Sequence, residues 1–182
     1  MSTVLSPSLL HLAETNHHAF NLAVWDRLSQ DSFLASLDYR IETDRHGQIV
    51  MSPLPAPSHG KKQSTIARLL GNQKHSGEVI TECPISTSGG VKGAYVAWCS
   101  DDLWERLGDA SCFTECPELA VEVVSPSNTK GEIEEKRLFY LQAGAKEVWI
   151  CDEDGSIHVW TSRGEVESSA LFPDFPPSIS LV

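Results

Sequence analysis

A short apolar segment with one acidic residue inside it places the strongest constraint on how this chain can fold. The segment LAVEVVSPSN covers residues 119–128, and five of its first six residues are apolar. A β-branched run of this kind is typical of a strand that is buried on both faces. Glu122 interrupts the run, and an unpaired buried carboxylate would cost on the order of several kcal/mol or become protonated. The segment therefore predicts a buried strand whose glutamate has a partner or a task.

The overall composition predicts a single globular domain without a membrane segment. The chain has 182 residues, enough for one full core, and its 41% hydrophobic content is ordinary for a globular protein. No apolar stretch is long enough to cross a bilayer, and the start of the chain lacks the basic and apolar regions of a signal peptide. The five cysteines are odd in number and mostly lie in apolar runs. We therefore expect reduced thiols and a cytoplasmic protein.

The hydrophobic periodicities predict an α/β (α+β) fold with a mixed central sheet flanked by helices. We assign residues 1–182 to one domain, with an N-terminal extension at 1–17 and a loop-like tail at 163–182. Ser127 or Asn128 is expected to cap the helix that follows the buried strand, and Gly144 to end it. The other predicted elements are a helix at 17–37, a hairpin at 38–53 turning at Gly47, a helix at 55–72, strands at 77–86 and 91–100, a short helix at 101–108, a helix at 130–143 and a hairpin at 147–161.

A lysine on the apolar face of the 130–143 helix is the candidate partner of Glu122. Helical periodicity places Lys136 in one stripe with Ile133 and Tyr140. A lysine on a buried face must find a partner or extend to water. The pair has two interpretations. It is either an ion pair that serves packing alone, or part of a site for metal-dependent phosphodiester cleavage. In such a site carboxylates hold Mg²⁺ or Mn²⁺, and a lysine orients the nucleophile or stabilises the transition state.

The segment PELAVEVVSPSNTKGEIEEKRLFYLQAGAKEVWICDEDGSIHVW resembles a restriction endonuclease-like family that is greatly expanded in cyanobacteria and belongs to the PD-(D/E)XK nuclease superfamily. The matching positions are Glu122, Ser125-Pro126-Ser127, Lys136, Tyr140, Gly144 and Glu147-Val148-Trp149. Upstream, YRIETDRHGQIVMSP resembles the family's strand with Glu42, followed by Gly47 and Met51-Ser52-Pro53, and His59 matches the histidine that opens the next helix. The resemblance covers roughly residues 18–162. It implies an endonuclease that acts on DNA with Mg²⁺ or Mn²⁺, with Glu122 as metal ligand, Lys136 as catalytic lysine and Glu42 in support.

The sequence departs from the family at the metal ligand that precedes Glu122. The family usually has an aspartate there, and this chain has Tyr95. A phenol with a pKa of about 10 is neutral at pH 7 and is a poor ligand for Mg²⁺. The superfamily's usual lysine position is Val124 here, so Lys136 is the candidate lysine, with Lys130 as the alternative. Two functions stay open, namely an endonuclease whose metal is weakly bound or absent, and an inactive nuclease scaffold with a role in binding or assembly.

The charge of the chain limits how it can bind nucleic acid. Its formal net charge is −11, which repels polyanions at long range. Only HGKKQSTIARL, at 59–69, has a local basic character, so we expect Lys61, Lys62 and Arg68 to form a weak DNA-binding patch. A homodimer, which we also expect, would place two such patches beside one duplex. The charge and Tyr95 favour the inactive scaffold, whereas the retained Glu122 and Lys136 favour the enzyme.

Overall fold

An antiparallel hairpin precedes the main sheet in the chain. The computed structural model describes residues 12–13, 15–73, 76–126 and 128–179. Strand β1 (Tyr39–Thr43) pairs with β2 (Ile49–Pro53), and the turn between them contains Gly47 at φ +74°. A left-handed φ of this kind costs glycine little, which explains why the chain reverses there. The predicted hairpin is confirmed.

Six strands form one mixed sheet in which the spatial order follows the chain. They are β3 (Glu78–Thr87), β4 (Gly90–Cys99), β5 (Leu119–Val123), β6 (Glu147–Cys151), β7 (Ile157–Thr161) and β8 (Gly164–Val166). Neighbours are antiparallel except β5 and β6, which are parallel. Every residue of β5 is buried, as its apolar sequence predicts. The predicted fold class is confirmed.

Helices cover both faces of this sheet. The described helices are α1 (His17–Ser29), α2 (Ser32–Ala35), α3 (Pro57–Gln73), α4 (Asp101–Leu107) and α5 (Lys130–Gln142). On α3, Ile66 and Leu70 share a core with the face of β5 that carries Val121. On α5, Tyr140 packs in the core that contains Ala120. Since Ala120 and Glu122 alternate with Val121 along the strand, Glu122 faces α5.

Two predicted helix boundaries are corrected. The helix expected at 17–37 is broken after α1, because the Asp31 side chain accepts from the backbone N–H groups of Phe33 and Leu34 and starts a new helix. The N-cap of α5 is Thr129, in a reciprocal capping box with Glu132. Asn128 instead accepts from the backbone and hydroxyl of Ser125, and Ser127 lies outside the described residues. Gly144 does follow the end of α5, at φ +114°.

The predicted loop-like tail at 163–182 is corrected in one part, because Gly164–Val166 form a strand, whereas the described residues 167–179 form no helix or named strand and pack on the fold as a loop. It contributes β8, and Phe172 and Ile179 are buried in the core beside α3. The buried Glu147 holds it in place by accepting from Ser169 Oγ at 2.6 Å and from the backbone N–H of Ala170 at 2.7 Å. Of the predicted N-terminal extension at 1–17, residues 1–11 and 14 lie outside the described residues.

The five cysteines, all in described segments, are buried and form no disulfide. In the described part of the chain, no helix combines the length and apolar content required to cross a bilayer.

Candidate active site

A cleft of about 670 Å³ opens between the β1–β2 hairpin, the start of α3 and the first turns of α5. Polar and charged side chains converge on it from four elements. They include Arg40, Glu42, His59, Lys92, Tyr95 and Lys136. Lys92 and Tyr95 reach the cleft from β4, which is paired with β5 in the main sheet.

Lys136 lies at the centre of this site, as helical periodicity predicts. Its Nζ is 2.6 Å from Glu42 Oε1 and 3.6 Å from Glu122 Oε2. Burial alone would lower the pKa of Lys136, but the charges of Glu122 and Glu42 outweigh burial and raise it. The ammonium is therefore fully charged at neutral pH. Its closer partner is Glu42 on the hairpin, so one lysine ties the hairpin to the main sheet.

Glu122 lies beneath this layer and is only 1% exposed. The Tyr140 hydroxyl, one helical turn after Lys136, donates to Glu122 Oε1 at 2.7 Å. Burial raises the pKa of Glu122, and Lys136 and Arg40 oppose that increase. The unusual acid of the apolar strand thus has the partners that its position requires.

Glu42 is 8% exposed and lies between two cations. Besides Lys136, the guanidinium Nη1 of Arg40 is 3.7 Å from its Oε1, which also accepts from the backbone N–H of Gly93 at 3.1 Å. Burial would raise the pKa of Glu42, but Lys136 and Arg40 lower it overall. Glu42 is therefore an ionised carboxylate.

Arg40 is a site residue that the sequence analysis missed. Its side chain is 11% exposed, Nε donates to Glu82 Oε2 at 2.8 Å, and the guanidinium carbon is 3.9 Å from the centre of the Tyr95 ring. An arginine on a hairpin strand is usually solvated, so composition does not mark Arg40 as a site residue. The alternation of side chains along a strand does mark it, since Arg40 lies two residues before Glu42 and must share its face.

Tyr95, which the family resemblance aligns with the aspartate ligand, lies in the lining of the cleft. Its ring lies between the guanidinium of Arg40 and the imidazole of His59. The centre of the Tyr95 ring is 4.3 Å from the centre of the His59 ring and 6.0 Å from Lys136 Nζ. Burial raises the pKa of Tyr95, an effect that Arg40 opposes in part. The phenol is therefore neutral and supplies no anionic ligand.

The residues of the cleft do not fit Mg²⁺ or Mn²⁺. These hard cations require carboxylates that are open to them, but the ammonium of Lys136 already bridges Glu42 and Glu122. Among the residues that the structure describes, no three His, Cys, Asp or Glu side chains are grouped as a metal site. The structure thus brings Glu122, Lys136 and Tyr95 together, as expected. The ion pairs of Lys136 already occupy the carboxylates of Glu42 and Glu122.

The other predicted cations lie outside this arrangement. Lys130 is exposed at the start of α5, so Lys136 is the lysine that reaches the acids. The predicted basic patch is corrected at Lys62, which does not belong to it. Lys62 is buried, and its Nζ donates to the carbonyls of Asp152 and Glu153 at 2.9 and 2.7 Å. Lys61 and Arg68 are exposed on α3, and a seven-residue spacing keeps them on one face of the helix.

Comparison with known proteins gives a matching family and four similar chains among the solved structures. The family described as "Uma2: Putative restriction endonuclease" matches residues 30–180. A crystal structure from Anabaena variabilis, titled as a putative nuclease belonging to DUF820, is similar with a TM-score of 0.65 and 16% identity, over 83% of this chain and 93% of that chain. At this identity the likeness establishes the fold. No curated protein matches the chain.

Proposed function

The chain belongs to the family described as "Uma2: Putative restriction endonuclease", and we propose that it is a nuclease-fold protein that binds DNA without cleaving it. The observation that carries this proposal is the position of Lys136 Nζ, 2.6 Å from Glu42 and 3.6 Å from Glu122. The two carboxylates that would hold a metal are already paired with a side-chain ammonium of the protein. Tyr95 adds no charge at the third position.

Binding in this proposal is electrostatic and weak. Lys61 and Arg68 lie on the exposed face of α3, whose first turn lines the cleft, and these two cations carry the binding. The net charge of −11 opposes any polyanion, so affinity falls steeply as salt rises. A homodimer would strengthen binding by presenting two such faces to one duplex.

A second candidate is metal-dependent phosphodiester hydrolysis. It is favoured by the retention of Glu42 and Glu122, each with a carboxylate oxygen within 4 Å of Lys136 Nζ. These residues are the ones that the family resemblance assigns to catalysis. The substrate would again be DNA.

Fluorescence anisotropy with a labelled DNA duplex at low salt tests the proposal. Native protein should bind at least as tightly in EDTA as in Mg²⁺, because Mg²⁺ competes for the phosphates, and the duplex should remain intact. The double variant Lys61→Ala/Arg68→Ala should weaken binding several-fold and reduce the slope of log K against log salt by about 2. The matched control, Lys146→Ala/Arg163→Ala, removes the same charge from exposed positions elsewhere and should have the smaller effect.

Two results would contradict this account of binding. One is the absence of affinity at low salt, and the other is binding that requires Mg²⁺. Equal losses of DNA affinity in the two double variants would show that the exposed face of α3 does not carry the binding.

A further inference from the structure

We propose that the guanidinium of Arg40 is a built-in cation that balances the acidic groups of the cleft in place of a divalent metal. This inference rests on the proposed function and deepens it, because it states what makes the native cleft complete without metal. It assigns a role to a residue that neither the family resemblance nor the composition singles out.

The first support is the number of directed contacts that Arg40 makes. It donates through Nε to Glu82 at 2.8 Å and through Nη2 to the carbonyl of Gly93, and its Nη1 is 3.7 Å from Glu42. The guanidinium carbon lies over the Tyr95 ring, 3.9 Å from its centre. A side chain that is only 11% exposed and is held on its edges and its face has a fixed position.

The second support is the shape of β4, which leaves space for this group. A Cβ atom on Gly93 would lie 2.7 Å from Arg40 Nη2, which is too close unless the guanidinium shifts. Glycine at residue 93 and the aromatic ring at residue 95 therefore form a socket for the guanidinium. An aspartate at position 95 would supply an anion but no ring to stack on.

The third support is the backbone of Glu82, the acid that binds Arg40 most closely. Among the described residues, it is the one non-glycine residue with positive φ, at +54°. This conformation is unfavourable for a residue with a side chain and persists only where the surroundings enforce it. In it, the carboxylate accepts from both Arg40 and Gln63, at 2.8 Å in each case.

The acids that contact Arg40 and Lys136 are then paired without an ion. Arg40 lies beside Glu42 and Glu82, and Lys136 lies beside Glu42 and Glu122. A guanidinium does not lose its proton in proteins, so its charge is permanent. Removing Arg40 takes a permanent positive charge away from Glu42 and Glu82 and makes them more accessible to a hard cation.

Calorimetric titration with Mn²⁺, in the absence of DNA, tests this inference. Native protein should show no saturable binding below millimolar Mn²⁺, and Arg40→Gln should bind roughly tenfold or more tightly, because a nearby positive charge has been removed. The control is Arg106→Gln, which loses the same charge on the surface, where Arg106 is half exposed beside Asp102 and Glu115. It should behave like the native protein. Equal Mn²⁺ affinity in Arg40→Gln and Arg106→Gln would overturn the proposal.

A measurement on native protein keeps the test decisive if Arg40→Gln does not fold. The Nε–H resonance of Arg40 in an NMR spectrum should stay sharp when paramagnetic Mn²⁺ is added below one equivalent. Selective broadening of that resonance would show metal beside the guanidinium and would overturn the proposal. Both readouts are independent of DNA, so a failure of DNA binding would contradict the proposed function alone.

Discussion

Lys136→Met is expected to lower the free energy of unfolding by about 3 to 5 kcal/mol, the range typical when one partner of a buried ion pair is removed. Glu122 and Glu42 are 1% and 8% exposed and would both lose their nearest ammonium. Methionine keeps the length and apolar contacts of the lysine stem, so the loss reports on charge. Urea denaturation measures it.

The loss in Lys136→Met should depend on pH. Burial already raises the pKa of Glu122, and Lys136 opposes that increase. Without the lysine, the folded pKa of Glu122 rises further above its unfolded value. The folded state then binds more protons than the unfolded state, so stability falls as pH rises from the unfolded pKa through the folded one. The loss should therefore be smaller at pH 5 than at pH 8.

The control for this experiment is Lys130→Met, at the exposed start of the same helix. It removes the same charge from α5 without touching the cleft. If both variants lose similar stability, or if the loss in Lys136→Met is independent of pH, then Lys136 does not neutralise the buried acids.

Tyr95→Asp is expected to strengthen metal binding, which we predict to be poor in the native chain. The substitution adds an anionic oxygen ligand beside Glu42 and Glu122, and it removes the ring on which Arg40 is stacked. We expect Mg²⁺ or Mn²⁺ affinity to rise roughly tenfold or more by calorimetry. Metal-dependent nicking of plasmid DNA should appear and should be lost again when Glu122→Ala is added.

The matched control for this gain is Tyr95→Phe, which retains the ring and adds no charge. It should bind metal no better than the native chain. No gain in metal affinity in Tyr95→Asp would mean that residue 95 is not at the ligand position, and that the alignment of β4 with the family strand is wrong.

Local sequence patterns predict much of this site because two of its residues contradict their surroundings. An acid in the apolar run of β5 and a lysine in the apolar stripe of α5 both follow from strand and helix periodicity. Those periodicities also direct both side chains into the space between the strand and the helix. The structure brings Glu122 and Lys136 to 3.6 Å. Their roles in function remain predictions.

Other parts of the site depend on packing between distant segments, which periodicity does not reveal. Arg40 and Gly93 are 53 residues apart, and they meet because the β1–β2 hairpin lies against β4. Glu82 gives no signal in the sequence, because its φ of +54° depends on its surroundings. Similarly, the tail after residue 163 lacks periodicity but is fixed by hydrogen bonds to Glu147. The expected homodimer stays a prediction.

Relaxation of supercoiled plasmid by the native chain, in Mg²⁺ and in Mn²⁺, tests most directly whether the cleft is complete without metal. The comparison is with Glu122→Ala, checked for folding by circular dichroism. We predict that native protein and Glu122→Ala leave the plasmid equally intact at either metal, because Lys136 and Arg40 already neutralise the acids that would bind it. Metal-dependent cleavage by the native chain that disappears in Glu122→Ala would contradict this account and establish the enzyme.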